Sequence, residues 1–288
     1  MPPSARSVDD LGGNAFAARG DLRSAHDERC DPPPVGALLR EWRQRRRLSQ
    51  FELALESGVS SRHLSFVETG RSRPSAEMVI HLAEQLDVPL RDRNHLLLAA
   101  GYAPAYAQRD LEAPDMGPVR DAIEQVLRAH EPYPALVIDH HWGLVSANRA
   151  LGVLIDGVAG HLLEPPTNVL RLSLHPEGLA PRIVNLHQWR SHLLERLARD
   201  AMASGDPALT VLREELAAYP AGEPGPDLDP AFADIAVPLR LRHGDSELAF
   251  ISTKTIFGTA VDVTVAELSI ESFFPADRET AEAMRALL

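Results

Sequence analysis

Between residues 35 and 101, apolar residues recur at helical spacing in five short blocks. Leu38 and Trp42 share a face at i, i+4. Ser49, with Glu52 three residues on, makes a capping box ahead of Leu53 and Ala54, and Gly58 ends that helix. Ser60 opens the next helix, which carries Leu64 and Val67 and stops at Gly70. Ser75 caps a fourth with Val79, Leu82, Ala83 and Leu86 on one face; Pro89 breaks it, and Arg91 to Ala100 form a fifth. Five short helices with short connections predict a compact all-α bundle over 35–101.

Outside that block the pattern changes twice. Residues 1–34 hold Gly12, Gly13, Gly20 and the run Pro32, Pro33, Pro34 without an apolar period, and read as a flexible extension. Residues 102–117, with Pro104, Pro114, Gly117 and two tyrosines, Tyr102 and Tyr106, read as a linker. A helix from Val119 to His130 follows. From Tyr133 the period becomes two: ALVIDHHWGLVSAN predicts two strands around a turn at Trp142-Gly143. Asn148 to Ile155, 185–200 (Leu186, Trp189, Leu193, Leu194, Leu197) and 208–218 are helical in pattern, and AGEPGPDLDP at 221–230 is a loop. IAVPLRLR alternates from Ile235 to Arg242. A hairpin turn at His243-Gly244-Asp245-Ser246 follows, and ELAFISTKTIF and VDVTVAEL are expected to complete an antiparallel set. Residues 118–288 are thus predicted to be an α+β domain whose helices fall largely between its second and third strands.

Composition bounds the function classes. A chain of 288 residues, 44% hydrophobic and 24% charged, suits two globular domains. The single cysteine excludes an internal disulfide framework and a cysteine zinc cluster. No basic segment precedes an apolar core at the N-terminus, and the greasiest stretch, LLLAAGYAPAYA from 96, is too short and broken to span a bilayer, so the expectation is a soluble cytoplasmic protein. The net charge of −12 argues against a polyanionic partner until its distribution is considered. Residues 35–73 carry eight arginines and four glutamates, a local +4, and the acidity lies mainly beyond residue 101. A basic module is joined to an acidic one.

The basic module contains a helix–turn–helix pattern at 50–69. Ala54, Gly58, Val59, Leu64 and Val67 occupy the inward positions, and Gly58 supplies a left-handed turn. Projected at about 100° per residue, Leu64 and Val67 face inward while Arg62, Phe66 and Thr69 point away, with Ser65 beside them and Ser60 and Ser61 at the N-terminal edge. Arg62 suits guanine O6 and N7, the serines suit base or phosphate, and Phe66 suits a thymine methyl. Gln50 starts the preceding helix, where backbone amides favour a phosphate, and Arg71 and Arg73 are placed to clamp the backbone.

LSQFELALESGVSSRHLSFVETGRSRPS resembles the lambda-repressor/Cro-like helix–turn–helix family, also called the xenobiotic-response-element (XRE) family, over residues 35–101. The resemblance implies that the helix before Gly58 crosses the DNA backbone and that the helix after Ser60 reads bases, with contacts on Gln50, Ser61, Arg62, Ser65 and Phe66. It also implies that Glu68 is a structural acid paired with an arginine of the first helix, here Arg43. The second half resembles the MmyB-like ligand-binding domain, a PAS-like fold. The matching stretches are YPALVIDHHWGLVSANRA, NVLRLSLHPEGLAPRIVNLHQWRSHLLERL and ELAFISTKTIFGTAVDVTVAELSIESFFPAD. Where that family more often has tryptophan-asparagine, this chain has Ala147-Asn148. The implied ligand is small and largely apolar, with fatty acids or similar lipids as the class.

Leu136, Ile138, Val145, Leu151, Leu154, Ile155, Leu170, Trp189, Leu193, Phe250 and Ile256 are the candidate lining of that pocket, and Arg171, His175, Asn185, His187 and Arg190 are candidates for an acid head group. No GxSxG elbow, GxGxxG or phosphate-binding glycine loop is present, so no enzyme, catalytic residue or cofactor is expected. His140-His141 and His187 with His192 suggest a metal, but the latter two, five apart, point roughly 140° from one another on a helix. Without HExxH or zinc-knuckle spacing, no metal site is expected. The sequence therefore supports a transcription regulator, repressor or activator. It would bind double-stranded operator DNA, as a homodimer and away from membranes, and sense a small apolar ligand. The alternative is a helix–turn–helix protein of antitoxin or sigma-factor-partner type, whose second domain binds protein.

Overall fold

The computed structural model describes residues 34–222 and 237–288. The sequence-based expectations for the N-terminal extension, most of the 221–230 loop and the first residues of IAVPLRLR lie outside them. The first domain is five helices: α1 (Val35–Arg45), α2 (Gln50–Glu56), α3 (Ser61–Glu68), α4 (Ala76–Gln85) and α5 (Leu90–Ala99). The starts of α2, α3 and α4 follow from the predicted caps. Ser49 and Glu52 form a reciprocal capping box at α2, and Ser60 and Ser75 accept from the backbone N–H of His63 and Met78 at α3 and α4. Gly58 and Gly70 close α2 and α3 with φ of 65° and 73°. The core is Leu39, Trp42, Leu53, Ala54, Leu64, Val67, Val79, Leu82, Ala83, Leu86, Leu96 and Leu97. Helices α1 and α3 approach so closely that a Cβ on Gly36 would sit 2.2 Å from the carbonyl oxygen of Val67.

The second domain is built on a five-stranded antiparallel sheet in the order β2-β1-β5-β4-β3, with β1 (Ala135–Ile138), β2 (Leu144–Ala147), β3 (Leu239–His243), β4 (Ser246–Ile256) and β5 (Ser269–Pro275). Helix α6 (Gly117–Ala129) precedes it. Helices α7 (Leu151–Ile155), α8 (Val169–Leu174), α9 (Leu186–Ser204) and α10 (Pro207–Ala218) are inserted between β2 and β3, as the pattern predicts. Helices α11 (Val263–Ala266) and α12 (Arg278–Leu287) complete the domain.

Both faces of the sheet are covered, so β1 is buried at every position. One face carries Leu136, Ile138, Leu239, Leu241, Phe250 and Phe273 against α7–α10 and α12. The other carries Ala135, Val137, Val145 and Ile270 against Ile123 and Leu127 of α6. Leu111 and Met116, in the stretch that reads as linker, are buried in this second cluster, so part of that stretch packs as a layer of the second domain. One strand expectation fails. VDVTVAEL contains α11, whose N-cap Asp262 accepts from the Thr264 backbone N–H, and the last strand is SIESFFP. The cap competes with strand alternation and takes the segment out of the ladder. Among the described residues no helix is long and apolar enough to cross a membrane.

Candidate nucleic-acid interface and ligand cavity

Helix α3 presents Ser61 and Arg62 to solvent, and Ser65 and Phe66 half-buried beside them. Phe66 is outside the bundle core, as its helical position predicts. It has a local partner set that the sequence does not show. The guanidinium of Arg62 lies 5.4 Å and that of Arg71 5.9 Å from the centre of its ring. Such distances are within cation–π range. The Phe66 carbonyl also accepts from the backbone N–H groups of Arg71 and Ser72 at 2.8 and 3.1 Å. One aromatic ring therefore has two exposed arginines over it, on the edge of α3 that the sequence assigns to base contact.

The remaining candidates are partly committed within the fold. Gln50 donates to Oε2 of Glu68 at 2.7 Å. Ser60 is the cap of α3, and Thr69 donates its hydroxyl to the Ser65 carbonyl at 2.7 Å. Arg73 donates from Nε and Nη2 to the Ala100 carbonyl and lies 5.3 Å from the Tyr102 ring centre, so it ties the turn after α3 to the end of α5. Arg62 and Arg71 are the two exposed cations of the set without such a tie to the bundle. Arg43 and Glu68 pair as the resemblance implies: Nε and Nη2 donate to the two carboxylate oxygens at 2.7 and 3.0 Å, and the glutamate side chain is 1% exposed.

In the second domain a small cavity of about 70 Å³ lies between the sheet and the helices. Its wall is almost entirely hydrocarbon, with Leu136, Ile138, Leu151, Leu154, Ile155, Leu170, Trp189 and Leu193 placed there as the pattern predicts. Three predicted lining residues are elsewhere. Val145 is on the opposite sheet face, packed with the α6 cluster. Phe250 is fully buried beside Phe273 without reaching the cavity. Ile256, at the exposed end of β4, is 66% accessible. Side-chain alternation assigns Val145, and the strand running past its cover assigns Ile256.

The polar groups at the cavity were also missed. Arg196 of α9 and Glu271 of β5 line it as a paired fork, with N···O distances of 2.8 and 2.6 Å and side chains only 13% and 7% exposed. The Arg196 guanidinium lies 4.7 Å from the centre of the Trp142 ring. The predicted head-group candidates are outside the lining. Arg171 is held by Glu215 at 2.7 Å, Asn185 donates to the Pro238 carbonyl, and Arg190 donates to that of Ala217. His175 and His187 likewise do not reach it. The missing signal was the spacing of Arg196 from Trp189 and Leu193: seven and three residues, one helical face.

A model of the MmyB-like transcription regulator ligand binding domain matches residues 119–287, more than half of the chain. The chain belongs to that family. A helix–turn–helix model matches residues 39–92, from within α1 to the first residues of α5. The chain is 33% identical over 104 residues to the putative HTH-type transcriptional regulatory protein MMP0678 of Methanococcus maripaludis, covering 36% of this chain and 29% of that protein. It is 38% identical over 81 residues to the uncharacterized HTH-type transcriptional regulator RghRB of Bacillus subtilis, covering 28% of this chain and 56% of that protein. The chain thus matches under a third of one relative and just over half of the other.

Within the MmyB-like domain, Asn148 is structural. Its side chain donates to the carbonyls of Leu127 and Tyr133 and accepts from the Ala135 N–H, joining α6, β1 and the turn between them. Among the described residues, two sets of hydrogen bonds join the domain to the bundle. Arg91 of α5 makes a two-pronged pair with Glu267 at 2.7 Å for each bond. At the end of α1, Arg45 and Arg46 each donate to a carbonyl at the end of α9, Ser204 and Ala203, at 3.2 Å. Cationic groups at a helix C-terminus are favoured by its unpaired carbonyls and dipole.

Proposed function

We propose that the protein is a DNA-binding transcription regulator whose MmyB-like domain senses a small apolar acid, of fatty-acid or similar lipid class, and that it acts as a homodimer on a two-fold symmetric operator. One observation carries the sensing part. Helix α9 lines the cavity through Trp189, Leu193 and Arg196, and its last carbonyls receive Arg45 and Arg46 from the DNA-binding bundle. The cavity, about 70 Å³, is well below the roughly 300–1,000 Å³ of ordinary small-molecule sites. A lipid chain enters only by moving its walls. Because α9 is one wall, ligand entry strains or shifts the contact with α1, and a ligand that favours one arrangement shifts the DNA-competent population.

Native mass spectrometry of the purified full chain tests the ligand class. A retained lipid of a few hundred daltons is expected; a co-purifying protein in its place overturns the reading. Gly205 provides the test of coupling. It ends α9 with φ +70°, and a Cβ there would lie 1.8 Å from Nη1 of Arg45. Gly205→Ala is expected to push Arg45 off α9, leaving lipid binding intact while reducing the effect of lipid on DNA affinity. Unchanged coupling would reject this route.

The DNA-reading face gives a graded expectation. With DNA selected from a random pool, Arg62→Ala is expected to cost about 1–3 kcal/mol and relax specificity at one base pair, and Arg71→Ala to weaken all sequences alike and lower the salt slope by about one. Phe66→Ala should spare folding, blur discrimination at an A·T pair and weaken the contributions of both arginines. A large loss of thermal stability would instead return Phe66 to the core.

A further inference from the structure

The turn between β1 and β2 carries two adjacent histidines, and the fold brings a carboxylate to them from 65 residues away in sequence. His141 Nε2 lies 2.6 Å from Oδ2 of Asp206, the residue between α9 and α10. The rings of His140 and His141 are 3.9 Å apart centre to centre. One ring nitrogen from each histidine and one oxygen of Asp206 lie within 4.8 Å of one another. Atoms bound to a single zinc ion at about 2.0–2.2 Å stand roughly 3–3.5 Å apart, so small side-chain rotations close the set.

The backbone under these side chains is held in place. Asp139 accepts from the N–H groups of His141 and Gly143 at 2.9 and 2.8 Å, and Asn168 donates to the His141 carbonyl at 2.9 Å. Oε2 of Glu267 lies 3.2 Å from Nδ1 of His140, without the alignment of a hydrogen bond. A carboxylate behind the ring is the partner that metal-bound histidines ordinarily keep. Two adjacent imidazoles, tilted 38° to one another and set beside a carboxylate on turns fixed by hydrogen bonds, form a more complete donor set than a lone surface ion pair.

We propose that His140, His141 and Asp206 form a binding site for a divalent transition metal of the zinc class, with Glu267 orienting His140. The site joins the β1–β2 turn to the α9–α10 turn. It lies between the two contacts that hold the DNA-binding bundle, since Glu267 receives Arg91 and the carbonyls just before Asp206 receive Arg45 and Arg46. Metal is therefore a second input to the same junction, independent of the lipid cavity.

Zinc titration of the chelator-treated full chain, in competition with a fluorescent zinc indicator, tests the site. One zinc per chain is expected at micromolar or lower concentration. Asp206→Asn removes the anionic ligand while retaining an N-cap side chain for the Ala208 N–H. His140→Ala, His141→Ala and Asp206→Asn should each weaken this site by at least the about 10–100-fold that loss of an outer partner costs. The histidines elsewhere and Cys30 are common to these three variants. His161→Ala, in the more exposed His161, His175 and Glu177 group, should leave it unchanged. Cobalt absorption in the same chains reports ligand number directly, with circular dichroism confirming that each variant is folded. No zinc at micromolar concentrations, wild-type affinity in the folded Asp206→Asn and histidine variants, or loss that follows His161 instead would overturn the site.

Discussion

Glu68→Ala is expected to destabilise the helix–turn–helix bundle by about 3–5 kcal/mol, the range found when one partner of a buried ion pair is removed and the other is left unpaired. The carboxylate accepts three side-chain bonds, two from Arg43 and one from Gln50. Arg43 also donates to the Leu48 carbonyl at 2.7 Å, so this single cluster joins α1, the α1–α2 turn, α2 and α3. The alanine variant leaves a guanidinium 10% exposed in an apolar setting with one bond instead of three. Hydrogen exchange resolved by segment should show protection falling across α1–α3 while the sheet is unaffected. DNA affinity should fall with it, because α3 is oriented by this cluster. Replacing both partners by Arg43→Met and Glu68→Leu should restore much of the stability, since well-packed apolar pairs often replace buried ion pairs without loss. A Glu68→Ala chain whose α1–α3 protection stays within about 0.5 kcal/mol of the parent, the scatter of an ordinary surface change, would show that the pair braces nothing.

The bundle was legible because its signals are local. Caps at Ser49, Ser60 and Ser75 and stops at Gly58 and Gly70 act within a few residues, and all are found where the pattern puts them. The ion pair between Arg43 and Glu68 entered through family resemblance, because nothing local joins residues 25 apart. The sheet was legible in outline, but its last strand was misplaced by a cap at Asp262 inside an alternating run. Eight lining residues of the cavity came from apolar periodicity, whereas its charged pair did not. Arg196 reads in sequence as one more arginine on a charged helix, and Glu271 as one acid in a polar strand. Their meaning lies in the register that places Glu271 opposite Leu136, on the cavity face. The same holds for Asp206, whose approach to the histidine turn depends on the packing of α9 and α10. Residues that act through long-range contacts carry no periodic signature, and these include the charged and metal-type groups proposed to bind ligands.

The Arg196–Glu271 pair separates head-group recognition from stability. It stands beside an almost wholly apolar cavity wall, where an unpaired charge is costly and a ligand carboxylate is an alternative partner for the guanidinium. Glu271→Leu is expected to lower the stability of the ligand-free MmyB-like domain by about 3–5 kcal/mol, because Arg196 is left unpaired. On the proposed lipid-sensing reading, a fatty acid would supply the missing carboxylate. Its addition should raise the melting temperature of this variant more than that of the parent, in which ligand and Glu271 compete for the same fork. Arg196→Met should be destabilised in the same range, and no acid should rescue it. In the doubly apolar Arg196→Met, Glu271→Leu chain, stability should return toward the parent while preference for an acid over the matching alcohol disappears. That preference corresponds to one charge-assisted hydrogen-bonded contact, about 1.5–3 kcal/mol, or roughly a factor of ten to a hundred in affinity. Titration of each chain with a fatty acid and its alcohol, read by calorimetry, distinguishes the cases. If the double variant keeps the acid preference, the head group lies elsewhere on the domain and Arg196–Glu271 is only a structural pair. If Glu271→Leu gains no more from the acid than the parent does, Arg196 does not meet the ligand, since a freed guanidinium in an apolar wall would take the nearest carboxylate.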